Sequence, residues 1–96
     1  MSDLDIKRED GETGGRYVVN VDGHEAEMTY SRAGKGLIII DHTGVPEALA
    51  GQGVGKELVL RAIEDARAEG LRIIPLCPFA KAQFDKHPEW ADVLKT

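Results

Sequence analysis

Residues 45–60 read Val45-Pro46-Glu47-Ala48-Leu49-Ala50-Gly51-Gln52-Gly53-Val54-Gly55-Lys56-Glu57-Leu58-Val59-Leu60 (VPEALAGQGVGKELVL), and the change of pattern inside this stretch decides the fold. Glycines alternate at 51, 53 and 55, where a period near 3.6 begins. Val54, Leu58, Val59, Ala62, Ile63 and Ala66 share one stripe, while Lys56, Glu57, Arg61, Glu64, Asp65 and Arg67 face away. Glu57 and Arg61 make an i,i+4 pair of favourable order, and Gly70 sits where a left-handed C-cap ends the helix. Glycine this dense costs backbone entropy on folding, so its place at the mouth of a helix calls for a reason. Two are available. Amides freed of side chains can curl around an anion at the positive end of the helix, with Lys56 adding a cation. Alternatively, the glycines make a tight turn and let the helix pack closely.

Outward from this stretch the period changes again. Leu37-Ile38-Ile39-Ile40 is a continuous apolar run suited to a strand covered on both faces, and Leu71-Arg72-Ile73-Ile74-Pro75-Leu76-Cys77 reads as a further strand. Strand, helix and strand of these lengths form a βαβ crossover, placing strands 37–43 and 72–77 parallel and adjacent or nearly so. Pro75 cannot donate to a ladder, so the sheet is expected to be bulged, splayed or at an edge there. Upstream, Tyr17, Val19 and Val21 alternate with polar or outward positions, and after Asp22-Gly23 so do His24, Ala26, Met28 and Tyr30, which predicts a hairpin with one wet face. Ala33-Gly34-Lys35-Gly36 is a second turn. A short helix from about Phe79 to Lys86 stops before His87-Pro88. Residues 1–15 show no period and read as a flexible N-terminal segment, and residues 16–96 read as a single compact domain. The fold class is therefore α+β (mixed α/β): a mostly antiparallel sheet with one parallel βαβ crossover.

Composition narrows the function. The 96 residues are 42% hydrophobic and 30% charged, with no apolar run long enough to cross a bilayer, so no membrane and a cytoplasmic location are expected. The start, Met1-Ser2-Asp3-Leu4-Asp5, does not resemble a cleaved leader. Cys77 is the one cysteine, which excludes an internal disulfide, and the scattered His24, His42 and His87 give no metal-ligand spacing. A net charge of −5, from 12 Lys and Arg against 17 Asp and Glu, argues against broad nucleic-acid binding. It leaves room for a small anion held by backbone donors.

The glycine stretch is not a P-loop, because Lys56 is followed by Glu57 and no hydroxyl stands ready for magnesium. Nor is it a dinucleotide-binding fingerprint, which belongs after a first strand with Gly-x-Gly-x-x-Gly spacing. It resembles instead the acyl-CoA pyrophosphate loop of the GCN5-related N-acetyltransferases, Arg/Gln-x-x-Gly-x-Gly/Ala between a central strand and a helix. With Ile74-Pro75-Leu76-Cys77-Pro78-Phe79 and His87-Pro88-Glu89-Trp90, residues 16–94 are similar to the very short, single-domain group of that superfamily. The resemblance implies a reduced form of that fold, lacking the amino-terminal helices that complete an acceptor pocket. It implies acetyl-CoA or coenzyme A as cosubstrate, bound by Gly51, Gln52, Gly53, Val54, Gly55 and Lys56. A main-chain amide near Val45 would meet the thioester carbonyl or the pantetheine arm. Two positions depart from the pattern: Ala50 replaces the loop's opening Arg/Gln, and Phe84 stands nearest the place of a tyrosine acid.

Acyl transfer to an amine needs the neutral amine and a donor to the developing oxyanion. Base candidates are His42, read as facing away from Asp41 by strand alternation, and Glu47. Each has a plainer reading, as a strand-end histidine and a solvated loop acid. Cys77, at a strand's carboxyl end just before a helix, is a candidate nucleophile or a small packing residue. Phe79, Phe84 and Trp90 read as core or lid residues, and Glu25 and Glu27 as a wet strand face that could steer a cationic acceptor. The function expected is an N-acetyltransferase of unnamed acceptor amine, monomeric or homodimeric. The alternatives are a non-catalytic CoA-binding or regulatory module and a structural interaction domain.

Overall fold

In the computed structural model, which describes residues 4–95, Asp22 and Gly23 both take positive φ (51° and 82°) and turn the chain back in a two-residue hairpin of type I′ character. The turn joins β2 (Gly14–Val21) to β3 (His24–Arg32) in antiparallel register, with Tyr17 opposite Met28 and Val19 opposite Ala26. β3 pairs with β4 (Leu37–Gly44). A crossover through α1 (Val54–Glu69) then returns the chain as β5 (Arg72–Pro75), parallel to β4 over Leu37–Ile40. α2 (Pro78–Lys86) and short 3-10 turns at Glu47–Leu49 and Pro88–Val93 complete the chain. The strand order is β1-β2-β3-β4-β5.

One face of the sheet carries the core. Tyr17, Val19, Ala26, Met28, Tyr30, Ile38, Ile40 and Ile73 point to the side covered by Leu58, Val59, Ala62, Ile63 and Ala66 of α1, as the helical stripe predicts. Gly70 ends α1 in the left-handed region (φ 71°), its N–H bonding the Ala66 carbonyl. The other face is open, so Leu37 and Ile39 are half-buried. The β4 run is therefore covered on one face and not on two among the described residues: Leu37 and Ile39 stay half-buried, and the unbroken hydrophobicity reflects a central position in the sheet.

Three further expectations change. Residues 1–15 read as flexible, yet Lys7–Asp10 form β1, paired antiparallel to Gly15–Val18. Its sequence, Lys-Arg-Glu-Asp, lacks the hydrophobic alternation that announces a strand, and it is held by polar contacts instead. Arg8 bonds Asp65 and Glu69 on α1, Tyr30 donates to Asp10, and Arg32 grips Asp10 at 2.6 Å. Arg61 pairs with Asp65 at 3.3 Å and the Ile6 carbonyl at 3.0 Å, where the sequence pairs it with Glu57. Asp65 also accepts from the buried Tyr17 hydroxyl at 2.8 Å, so burial and this carboxylate together hold the Tyr17 phenol protonated.

The third change bears on the site. Thr29 pairs with His42 but Tyr30 with Ile40, so Asp41 is an extra residue, a bulge in β4. Strict alternation would put Asp41 and His42 on opposite faces. With the bulge, both lie exposed on the open face: Asp41 accepts from Ser31 Oγ, and His42 stands opposite Thr29. Thr43, opposite Met28, returns to the helix side.

Candidate functional site

β4 and β5 part at their carboxyl ends. Their ladder stops at Ile40 and Pro75, a γ-type turn bonds the Leu76 N–H to the Ile74 carbonyl (3.1 Å), and the Cys77 N–H reaches back to the Ile40 carbonyl (3.0 Å). Beyond that point Asp41–Gly44 have β3 alone as a neighbouring strand among the described residues. Pro75 thus sits on the last strand of the sheet, where its missing N–H costs nothing, as expected. An isolated bridge from Ile73 to Leu94 runs along β5's outer side.

The segment between β4 and α1 closes by short-range bonds: Leu49 N–H to Pro46, Ala50 N–H to Glu47, Gln52 N–H to Leu49 and Glu57 N–H to Gly53. The amides of Gly51, Gly53, Val54, Gly55 and Lys56 have no acceptor among the described residues, and no side chain caps α1. These are the orphan donors of a helix N-terminus, extended one step into the loop. Gly51 (φ 81°) and Gly53 (φ 75°) adopt the left-handed region, and a Cβ at either would meet nothing within 4 Å. Glycine is required there by conformation, while the space outside stays open to a ligand. Gly55 is required for contact: a Cβ would come within 2.6 Å of the Phe79 ring. The turn-and-packing reading of the glycines therefore holds, by conformation at Gly51 and Gly53 and by contact at Gly55. We predict that Gly53→Ala costs about 1–2 kcal/mol of stability through backbone strain, read as a lower denaturation midpoint, because a left-handed alanine at the cap has no compensating contact.

Above this loop lies a cleft of about 320 Å³ lined by Val45, Leu49, Ala50, Gly51, Gly53, Gly55, Lys56, Phe79 and Gln83. Five of the seven residues named from the sequence for the cosubstrate, Val45, Gly51, Gly53, Gly55 and Lys56, line it. Val54 instead buries its side chain in the core, and Gln52 turns its amide to the Ala48 carbonyl (3.3 Å), so neither lines the cleft. Phe79 and Gln83, four apart on α2, form the wall that sequence reasoning missed as a site. The signal was available in part, since Gly55 demands a close neighbour and the helix after Cys77 must pass near it. The donor set fits a diphosphate: several convergent amides, one exposed ammonium and apolar walls.

Cys77 stands at the N-cap of α2, 6% exposed, with Sγ 3.7 Å from Thr43 Oγ1. It lies two residues before the cleft-lining Phe79, across the strand gap from the segment leading to Val45. Burial pushes the thiol up, but the Ala80 amide, the Thr43 hydroxyl and the amides of Phe79 and Thr43 outweigh it, leaving the thiol below its ordinary value. His42 does not join it, because Thr43 carries Cys77 on the helix side while His42 lies on the open face, near Gly44. Glu47 is exposed at the start of the first 3-10 turn. Phe84 is buried, edge-on to Trp90 with centroids 6.1 Å apart, and belongs to the core.

Residues 16–93 match the family described as GCN5-related N-acetyl-transferase. A solution structure from Staphylococcus aureus described as GCN5-like shares 41% identity, covering 99% of this chain and 91% of its own, with a TM-score of 0.74. An IAA acetyltransferase from Bacillus cereus shares the fold at 20% identity, over 86% of this chain and 74% of that one, with a TM-score of 0.66. No curated protein matches the sequence significantly.

Proposed function

Because this chain belongs to the GCN5-related N-acetyltransferase family, we propose that it moves an acetyl group from acetyl-CoA to an amine. The observation that carries the reading is the set of unbonded amides at Gly51 and Gly53 to Lys56, beside a cleft walled by Val45, Phe79 and Gln83. In this reading those amides and the Lys56 ammonium hold the diphosphate, and the wall of Phe79 and Gln83 directs the pantetheine arm toward the gap. The thioester supplies an activated acyl carbon and a thiol leaving group. A main-chain amide near Val45 donates to the carbonyl oxygen as charge develops on it.

Cys77 is the group best placed to receive the acetyl. Its thiolate, favoured by the first turn of α2 and by Thr43, attacks the carbonyl carbon. A carbon–sulfur bond to Cys77 forms as the bond to the departing thiol breaks, and that thiolate takes a proton from solvent. A neutral amine then attacks the acetylated cysteine, forming the amide and releasing the Cys77 thiolate. The amine's proton leaves to solvent, because His42 lies on the open face of β4, away from Cys77. Glu47 has no step in this scheme.

Incubation with labelled acetyl-CoA and a panel of amines, including lysine peptides and polyamines, tests the proposal. Release of free thiol with label appearing in an amine supports it. Saturable CoA binding with no transfer to any amine, in the wild type and in Cys77→Ala alike, would establish a binding module instead.

A further inference from the structure

The extra residue in β4 decides which side chain Cys77 meets. Counting from Ile40 in the core, a regular strand would turn His42 to the helix side and Thr43 to the open face. The bulge at Asp41 exchanges them, and Ser31 Oγ on β3 holds it by donating to Asp41 Oδ2 at 2.5 Å. Thr43 therefore lies opposite the fully buried Met28, with its Oγ1 3.7 Å from Cys77 Sγ. The Cys77 N–H, bonded to the Ile40 carbonyl at 3.0 Å, ties the start of α2 to the same strand. Among the described residues the groups at the sulfur are uncharged: the Thr43 hydroxyl and amide from β4, and the Phe79 and Ala80 amides from the first turn of α2. The charged side chains of these elements point elsewhere. Asp41 and His42 are exposed on the open face, Lys81 and Asp85 pair with each other at 3.5 Å on the exposed side of α2, and Lys56 lines the cleft with Phe79.

We propose, resting on the covalent reading above, that Thr43 is a positioning residue for acetyl transfer: its hydroxyl, brought to the helix side by the bulge, holds the Cys77 sulfur where a regular strand would have set a histidine. A hydroxyl suits both states of the thiol, since it can accept and donate. It accepts from the neutral S–H. Once that proton has left to solvent, it turns and donates to the thiolate that attacks the thioester. It donates again in the second half, when the amine's attack breaks the bond between the acetyl carbon and Cys77 and the sulfur departs with the electron pair. A hydrogen bond to the anion is stronger than one to the neutral thiol. The same contact therefore raises the thiolate fraction before the first attack and stabilises the leaving sulfur in the second.

Two measurements on the full chain test this: the pH dependence of Cys77 alkylation by iodoacetamide, and the rate at which acetyl-CoA adds an acetyl group to Cys77, read by intact mass. Thr43→Val keeps the branched shape and the strand preference and removes the hydroxyl. It should move half-maximal alkylation to higher pH and slow acetylation at neutral pH by about tenfold, the scale of one hydrogen bond to a charged group. Thr43→Ser should restore both. His42→Ala should leave the alkylation profile where the wild type has it. A Thr43→Val profile that matches the wild type, a serine variant no better than valine, or a His42→Ala shift as large as that of Thr43→Val overturns the positioning role and leaves the covalent reading standing. A wild-type Cys77 that takes no acetyl group from acetyl-CoA removes the covalent reading, and Thr43's part in it, whatever the alkylation profiles show.

Discussion

Cys77→Ala is expected to lower the rate of acetyl transfer by about a thousandfold, equivalent to ~4 kcal/mol of barrier, with CoA affinity staying within about twofold. The separation follows from where the groups sit. The cleft is lined by loop amides and by Phe79 and Gln83, none of which depends on the sulfur, whereas the thiol is the group assigned to form the covalent bond. Cys77→Ser gives no rescue, since a hydroxyl at this N-cap stays protonated where a thiol with a lowered pKa ionises. The pH profile supplies the sign. Because the Ala80 amide and Thr43 outweigh burial and depress the thiol's pKa, reactivity of Cys77 toward iodoacetamide should rise with pH and reach half its maximum below the range of a free cysteine. An alanine variant that retains the wild-type rate would instead mean direct attack by the amine, with Cys77 a packing residue.

The second large effect is structural. Leu58→Ala is expected to cost about 3 kcal/mol, because Leu58 is fully buried on the α1 face that packs against the sheet and its removal leaves a cavity. A chain of this size holds roughly 5–15 kcal/mol in total, and each kcal/mol shifts the midpoint by about 4–8 °C, so melting should fall by some 12–24 °C. Glu64→Ala, on the exposed face of the same helix, should shift stability by less than ~0.5 kcal/mol. Equal effects at the two positions in thermal melts would contradict the assignment of the buried stripe.

How much was legible from the chain depends on which force positions each part. The α1 stripe, the Asp22-Gly23 turn, the Gly70 cap and the parallel crossover were readable because hydrophobic period and glycine conformation are local signals. β1 was not: Lys7–Asp10 is held by Arg8 to Asp65 and Glu69, partners some sixty residues away, and local pattern carries no trace of such pairs. The bulge at Asp41 was hidden for a related reason, since register is a property of two strands, and missing it misplaced His42 relative to Asp41. Of the cleft, the side formed by the loop was legible from its glycines. The α2 wall was not, because Phe79 and Gln83 acquire their place only when the chain turns at Pro75 and brings that helix over Gly55.

The most direct test of the central claim is an amide chemical-shift titration with CoA. If backbone N–H groups at the start of α1 grip the diphosphate, the resonances of Gly51 and of Gly53 through Lys56 move furthest and saturate together with Gln52 between them, and those of β1 and the Gly70 cap stay still. Shifts concentrated on the open sheet face, with the 51–56 amides unmoved at saturation, would contradict it.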